Sequence, residues 1–268
     1  MTRPAKPAKK PAWVIDKERA RRAAAQETVW LFGLHAVRDA LANPMRERLR
    51  LVLTRNAADR LGDLAGMEAE IVDARSFGKH VPLAPDSVHQ GAALEVRPLD
   101  WGRIDDIIAN PKARLLVALD RVTDPHNVGA ILRSAEVFGA AAVIGVTRHA
   151  APESGALAKT ASGALERQPY IRVTNLADTL EKLQQAGFAC IGLAGEAGNE
   201  LPALLSDLGD RPVCLVLGAE GPGLRDRTRE TCDHLARIAF AGDFGSLNVS
   251  NAAAVALFAA SQAAIPSR

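Results

Sequence analysis

Four short segments of this chain carry residue types that could do chemistry, and each follows an apolar run. They are Asp124–Gly129, Ala194–Glu196, Gly218–Leu224 and the stretch from Ala241 to Asn251. The last one holds four hydrogen-bonding side chains within six residues, Ser246, Asn248, Ser250 and Asn251. Capping the alanine-rich helix that follows needs only Ser250 or Asn251. The density of polar side chains therefore indicates a ligand-binding loop.

The first segment leads into a predicted helix that carries a guanidinium group. Asn127 lies in the polar turn, and Arg133 follows six residues later, among apolar residues at helical spacing. An amide and a guanidinium can position a hydroxyl and a phosphate. On this helix alone, a surface ion pair between Arg133 and Glu136 is the simpler interpretation. The case for chemistry depends on the other segments.

Two common nucleotide sites are excluded by the glycine pattern. A Rossmann dinucleotide site needs Gly-x-Gly-x-x-Gly after the first strand, but Gly129 stands alone there. The later glycines at 218, 221 and 223 have a different spacing, and no Gly-Lys-Ser/Thr triplet of a P-loop occurs. The segments therefore indicate neither a standard NAD site nor a nucleoside triphosphate site.

The elements that must position these segments alternate along the second half of the chain. Short apolar runs predict strands at Leu115–Leu119, Ala142–Val146, Tyr170–Val173, Ala189–Leu193, Val213–Leu217 and Leu235–Ile238. Helical spacing predicts helices at Val128–Phe138, Ala156–Ser162, Leu176–Ala186, Arg225–Cys232 and Ser250–Gln262. This alternation predicts an α/β fold with a mostly parallel sheet flanked by helices on both faces. Loops that follow such strands meet at one sheet edge and can share a site.

The chain divides into four predicted parts. Residues 1–28 are predicted to form a basic flexible arm, with eight Lys or Arg against three Asp or Glu. Residues 29–97 are a predicted small α/β domain, 98–112 a linker and 113–265 a larger α/β domain that carries the four polar segments. An arm of charge +5 on a body of charge −3 favours a polyanionic partner, and a solvated extension is the alternative. In the small domain, His35 and His89 are candidates for RNA contacts or for core and turn positions.

Composition excludes several protein classes. An apolar fraction of 48% across 268 residues is enough for a substantial core and excludes disorder throughout. The sequence contains no run of about 18 apolar residues, so we expect no membrane span. Cys190, Cys214 and Cys232 lack metal-ligand spacing and are expected to be reduced, buried thiols. With a basic start that is not a signal peptide, we expect a cytoplasmic protein without a metal.

Three blocks of the second half resemble the motifs of one family, the SpoU/TrmH class of SPOUT RNA 2′-O-ribose methyltransferases. The blocks are Asn127-x5-Arg133, Leu217-Gly218-x-Glu220-x-x-Gly223-Leu224, and Ile238 through Ser246-Leu247-Asn248-Val249-Ser250. Residues 29–96, with Gly33 and His89-Gln90-Gly91, are similar to the L30e-like RNA-binding domain of this class. The run from Ala161 to Glu166 is most similar to the RlmB type, whose members methylate a guanosine of 23S rRNA.

The resemblance implies a cofactor, a topology and a set of site residues. The methyl donor is S-adenosyl-L-methionine, held in a trefoil-knotted SPOUT domain of a homodimer. Its implied contacts are Gly218, Ile238, Leu247 and Gly195. The implied catalytic positions are Asn127, Arg133, Glu220, Ser246 and Asn248. Because a guanidinium stays protonated, we expect Arg133 to hold a phosphate and stabilise a developing alkoxide rather than act as a base.

One departure from the family pattern concerns the cofactor loop. Ala239-Phe240 stands where this class usually has Pro-Met, and losing the fixed φ of proline predicts a less preorganised loop and, at most, weaker cofactor binding. The alternatives left open are methylation of tRNA and a non-catalytic RNA-binding or ribosome-assembly protein. A small-molecule α/β enzyme is disfavoured by the basic arm and the appended first domain.

Overall fold

The computed structural model describes residues 27–84, 87–240 and 247–263. Most of the predicted basic arm and Ser246 lie outside the described residues. The strands of the described part form two sheets. The first has the order β1-β4-β2-β3, in which β1 and β2 each pair antiparallel with β4, while β3 pairs parallel with β2. Its elements are β1 (Val29–Phe32), α1 (Leu34–Ala42), β2 (Arg48–Thr54), α2 (Arg55–Leu61), β3 (Ala69–Val72), α3 (Phe77–His80) and β4 (Ala92–Val96).

The second sheet of the described part has seven strands in the order β7-β6-β5-β10-β8-β11-β9, and all its pairs are parallel. Its strands are β5 (Leu115–Asp120), β6 (Ala142–Val146), β7 (Tyr170–Val173), β8 (Ala189–Leu193), β9 (Asn199–Glu200), β10 (Val213–Gly218) and β11 (His234–Arg237). The helices are α4 (Ile104–Ile108), α5 (Pro125–Val137), α6 (Gly155–Ala161), α7 (Leu176–Gln185), α8 (Leu201–Leu208), α9 (Asp226–Thr231) and α10 (Val249–Ala263).

Both faces of the seven-stranded sheet are covered, which explains the uninterrupted apolar runs of its strands. Along β5, Val117 and Leu119 belong to the core shared with α5, α6, α8 and α10. Leu116 and Ala118 belong to a separate core shared with α4 and α7. Alternate residues of one strand thus serve opposite faces, as the two-residue period of a strand requires.

The predicted α/β class and the parallel sheet are confirmed, with four local differences. The segment assigned to the linker contains α4, whose Ile104 is buried against the second core. Helix α8 and the two-residue edge strand β9 were not predicted. Pro202 in the first turn of α8 is compatible with a helix, because the first amide groups of a helix have no partner within it. The last helix begins at Val249, so the prediction that Ser250 or Asn251 caps it was wrong.

The two sheets are joined through a buried ionic cluster centred on Arg46. The Arg46 guanidinium donates to Glu166 at 2.7 and 3.0 Å and to Glu153 at 2.9 Å. It also donates to the carbonyl of Arg97 at 2.8 Å. The side chains of Arg46, Glu153 and Glu166 are 0%, 7% and 3% exposed. These nearly buried ion pairs therefore connect the first sheet to the second, beside an apolar core that includes residues of both.

Candidate functional site

Three polar side chains from distant parts of the sequence meet at the carboxyl edge of the seven-stranded sheet. Asn127 Nδ2 donates to Glu220 Oε1 at 3.1 Å. Asn248 Nδ2 donates to Asn127 Oδ1 at 3.0 Å and also to Glu220 Oε1. The backbone N–H of Val249 points to the same carboxylate oxygen at 3.4 Å. We call Asn127, Glu220 and Asn248 the polar triad.

Each member of the polar triad is positioned by the end of an element. Asn127 lies in the first turn of α5, where Asp124 caps the helix by accepting from the His126 N–H at 3.0 Å. Asn248 directly precedes α10, and its Oδ1 accepts from the Ser250 N–H at 2.9 Å. It is therefore Asn248, rather than Ser250 or Asn251, that caps this helix.

The Glu220 carboxylate is stabilised rather than isolated. It accepts from two amide side chains, and it lies at the N-terminus of α10, where the helix dipole favours negative charge. Within the described residues these hydrogen bonds all reach one oxygen, Oε1, so the other oxygen remains available for a ligand. The arrangement can accept a hydrogen bond from a hydroxyl group and donate one from an amide.

The loop that carries Glu220 requires glycine. A Cβ atom on Gly218 would lie 2.1 Å from the carbonyl carbon of Gly223 and 2.3 Å from the amide nitrogen of Leu224. Gly223 has a φ of 69° and donates its N–H to the Ala219 carbonyl at 2.9 Å. The tight turn brings backbone groups close to the adjacent cleft.

A buried carboxylate that the sequence analysis did not single out holds this loop in place. Asp120, at the end of β5, is fully buried and accepts from Arg225 Nε at 2.6 Å and from the Arg225 N–H at 3.0 Å. The contact ties the loop after β10 to the end of β5. The only signal in the sequence was a charge that directly ends an apolar run.

A cleft of about 220 Å3 lies beside the polar triad. All four predicted cofactor contacts line it: Gly195, Gly218, Ile238 and Leu247. The walls combine apolar side chains, including Leu217 and the partly exposed Phe240, with glycine-rich backbone. Apolar walls suit an adenine ring, and the glycines in the lining at 195, 221 and 223 have no side chains that would keep a ligand from the backbone. These residues therefore fit an adenosyl group.

Arg133 is exposed on α5, outside the polar triad. Within the described residues it makes no ion pair, and Glu136 pairs instead with Arg167. The proposed surface pair between Arg133 and Glu136 is therefore wrong. Ser246, the remaining predicted catalytic position, lies outside the described residues.

His89 and the three cysteines have structural explanations within the described residues, whereas His35 is exposed on α1. His89 Nδ1 accepts from the Gly91 N–H at 3.0 Å, and its ring stacks on Phe77 with centroids 4.3 Å apart. The three cysteines are free. Burial raises the pKa of Cys232 to about 12, so this thiol is unreactive. The described residues contain no cluster suited to a metal ion and no helix long and apolar enough to cross a bilayer.

Comparison with known proteins decides the family. The model of the SpoU rRNA Methylase family matches residues 114–258, which is more than half of the chain and contains the whole polar triad. The chain belongs to the SpoU rRNA methylase family. The resemblance inferred from the three sequence blocks is thereby confirmed, and with it the prediction of an RNA methyltransferase.

Relatives of this SpoU methylase extend over both sheets. The 23S rRNA (guanosine-2'-O-)-methyltransferase RlmB of Vibrio cholerae is 40% identical over 245 residues, covering 86% of this chain and 95% of its own length. The enzyme of the same name from Pseudomonas aeruginosa is also 40% identical, over 242 residues that cover 85% of this chain and 94% of its own length.

Solved structures share the fold of this SpoU methylase. The AdoMet-bound rRNA methyltransferase from Sinorhizobium meliloti aligns with a TM-score of 0.73 and 25% identity, covering 92% of this chain and 90% of that one. The SpoU methyltransferase AviRb from Streptomyces viridochromogenes, in complex with AdoMet, gives 0.74 and 24%, covering 94% and 95%. The expected SPOUT-type sheet is confirmed, whereas the trefoil knot stays a prediction because residues 241–246 are not described.

Proposed function

We propose that this chain transfers a methyl group from S-adenosyl-L-methionine to the ribose 2′-hydroxyl of a guanosine in 23S rRNA. The observation that carries the proposal is the polar triad, which adjoins a cleft fitted to an adenosyl group in a member of the SpoU family. The substrate follows from relatives at about 40% identity that are named for this reaction. A substrate in ribosomal RNA also makes the cytoplasm the proposed location.

The cofactor would bind in the cleft beside Gly218. Gly195, Gly218, Ile238 and Leu247 line the cleft and would hold the adenosyl group. When bound, S-adenosyl-L-methionine supplies a methyl group on a sulfonium, which is electrophilic. Everything else must come from residues that align the attacking hydroxyl and remove its proton.

The polar triad would orient the ribose. The Asn127 amide is fixed by its contacts with Glu220 and Asn248, so it can hold the 2′-hydroxyl without reorganising. Such alignment supplies much of the rate of a two-reactant step. Arg133, free of acidic partners within the described residues, would bind the adjacent phosphate and stabilise the developing alkoxide. Ser246 is the remaining proposed catalytic residue.

The two sheets would divide the work. We assign residues 29–97 to an RNA-binding domain, residues 98–112 to a connecting segment and residues 113–265 to the methyltransferase domain. The basic residues 1–28 would add electrostatic attraction for RNA.

A homodimer is the proposed assembly. Val137 on α5 and Val255 and Phe258 on α10 are 69%, 43% and 53% exposed, an uncommon density of apolar side chains for a free surface. A neighbouring cavity of about 790 Å3 includes Val255 and Phe258 in its lining. Sedimentation of the Val255→Glu variant tests this assembly: we expect monomers, and an unchanged sedimentation coefficient would contradict it.

Mapping ribose methylation tests the reaction itself. Total RNA from cells with and without this protein is compared for 2′-O-methyl sites. Purified protein is then given unmodified 23S rRNA transcript or tRNA transcript with S-adenosyl-L-methionine. We expect one guanosine of 23S rRNA to lose its methyl group in cells and to gain it in vitro. Methylation of tRNA alone would show that tRNA, and not 23S rRNA, is the substrate. RNA binding without methyl transfer would favour a non-catalytic ribosome-assembly role.

A further inference from the structure

A second groove opens at the same edge of the seven-stranded sheet as the polar triad. It has a volume of about 440 Å3 and lies between the segments that follow β6 and β7 and the start of α9. Its basic lining residues are Arg148, His149, Arg225 and Arg227. We call these four residues the basic groove. No acidic residue lines it within the described part of the chain.

The charge of the basic groove is only partly neutralised by nearby acids. Arg225 pairs with the buried Asp120, and Arg227 Nη2 contacts Asp178 Oδ1 at 2.9 Å. Arg148 and His149 are exposed, and within the described residues their side chains make no hydrogen bond or ion pair. The groove therefore presents one guanidinium, that of Arg148, and one imidazole, that of His149, without a hydrogen-bond partner among the described residues.

The basic groove and the polar triad are connected through the loop after β10 and the end of β5. Arg225 follows Glu220 by five residues in the loop after β10, and it is fixed to Asp120 at the end of β5. Asn127 belongs to the segment that follows β5. A ligand that extends from Asn127 along the sheet edge toward β6 and β7 thus meets the groove.

We propose that the basic groove binds the phosphate backbone of the RNA nucleotides that flank the target ribose. The inference rests on the proposed function, which places a ribose at Asn127. Guanidinium groups match phosphate geometry with paired N–H donors. Phosphate contacts of this kind set the register of a nucleic acid without reading its sequence. The groove would therefore position the strand, while base recognition lies elsewhere.

Charge reversal at Arg148 tests the proposal, because this side chain holds no other residue in place. Arg114→Glu is the matched control: Arg114 is exposed at the opposite end of β5, before the strand begins. Binding of an unmodified 23S rRNA transcript is measured between about 50 and about 200 mM salt. We expect Arg148→Glu to weaken binding about tenfold relative to the control. Arg148→Ala should lower the slope of log K against log salt by about 0.7, the value for one single-strand phosphate.

Steady-state kinetics separates positioning from chemistry. Arg148→Glu should raise KM for RNA about tenfold, keep kcat within about twofold and leave binding of S-adenosyl-L-methionine unchanged. If Arg148→Glu binds RNA as tightly as Arg114→Glu while the unchanged protein methylates RNA, the groove assignment is wrong and the proposed function stands. If the unchanged protein transfers no methyl group but Arg148→Glu still weakens RNA binding, the proposed function fails, and the groove binds RNA phosphates without positioning a ribose for methyl transfer.

Discussion

Glu220 belongs to both parts of the candidate site, the polar triad and the adjacent cleft. It lines the cleft, and its Oε1 accepts hydrogen bonds from the side-chain amides of Asn127 and Asn248. An acid beside an RNA backbone would otherwise repel phosphate. Its charge is instead taken up by amide N–H groups and the start of α10. We therefore expect Glu220 to orient the two amides, and Arg133 to supply the positive charge that binds phosphate and stabilises the developing alkoxide.

Replacing Arg133 with alanine should separate catalysis from cofactor binding. Arg133 is exposed, is not one of the residues that line the cleft, and makes no side-chain hydrogen bond or ion pair with them within the described part. We expect kcat to fall by a factor of about 100 to 1,000, as for loss of one electrostatic stabiliser of the transition state. Binding of S-adenosyl-L-methionine, measured by calorimetry, should change less than about twofold. Loss of cofactor affinity in this variant would contradict the assigned role.

His89 should make the turn before β4 sensitive to acid. Burial lowers the pKa of His89, and its Nδ1 must stay unprotonated to accept from the Gly91 N–H. The unfolded chain therefore binds the proton more readily. The contribution of His89 to stability is complete above its ordinary pKa of about 6.5 and is lost as pH falls through the lowered folded value.

Nuclear magnetic resonance can follow this transition directly. Between about pH 7 and about pH 5, the His89 ring should titrate below its ordinary pKa. The protection factor of the Gly91 amide proton, which compares its exchange with that of an unstructured chain at the same pH, should fall. In His89→Asn the side-chain oxygen can accept from the same N–H, as in an Asx-turn, so the protection factor should no longer fall with pH. A His89 ring that titrates above its ordinary pKa would show that the turn imposes no such constraint.

At the scale of the element, the loop after β10 should fail with a single added methyl group. In Gly218→Ala the new Cβ would overlap the Gly223 carbonyl, so the loop must move. We expect binding of S-adenosyl-L-methionine to weaken at least about tenfold and the free energy of unfolding to fall by about 1–3 kcal/mol. Gly78→Ala, where a Cβ meets nothing within 4 Å, serves as control and should leave cofactor binding unchanged. Wild-type affinity in Gly218→Ala would remove Gly218 from the proposed cofactor site.

The elements that could be predicted are those with a strong local signal. Ala142–Val146, Tyr170–Val173 and Ala189–Leu193 have the predicted bounds, because short apolar runs between turn residues mark strands that are buried on both faces. Strand β9 has two residues, both exposed, and carries no such signal. Helix α8 has only eight residues and Pro202 in its first turn, and its helical spacing at Leu201, Leu204, Leu205 and Leu208 was overlooked as a signal.

The convergence of the site could also be predicted, because parallel strands bring the loops after them to one edge. Its supporting contacts could not. Asp120 and Arg225 are 105 residues apart in the chain, and Arg46 and Glu166 are 120 apart. Pairing over such separations depends on how the elements pack, which residue types and spacing do not encode.

At the scale of the whole molecule, the Arg46 cluster should set how the first sheet is held against the second. Arg46→Ala would leave Glu153 and Glu166 buried without a cation. Breaking a buried pair from one side costs about 3–5 kcal/mol. Arg50→Ala is the control, because its pair with Glu70 lies within the first sheet with both side chains about 40% exposed, and such a pair contributes about 1 kcal/mol or less.

The pH dependence of the free energy of unfolding identifies why Arg46→Ala loses stability. Burial already raises the pKa of Glu153, and removing Arg46 takes away the charge that opposes this rise. The folded Arg46→Ala variant would then bind protons more readily than its unfolded chain, so its deficit in chemical denaturation should shrink as pH falls from about 7 to about 5. The triple variant Arg46→Met, Glu153→Gln, Glu166→Gln removes the cation together with both carboxylates and should restore much of the stability that Arg46→Ala loses. A deficit that is independent of pH and not rescued in this triple variant would mean that Arg46 acts through packing, and that the two sheets are held together by their shared apolar core.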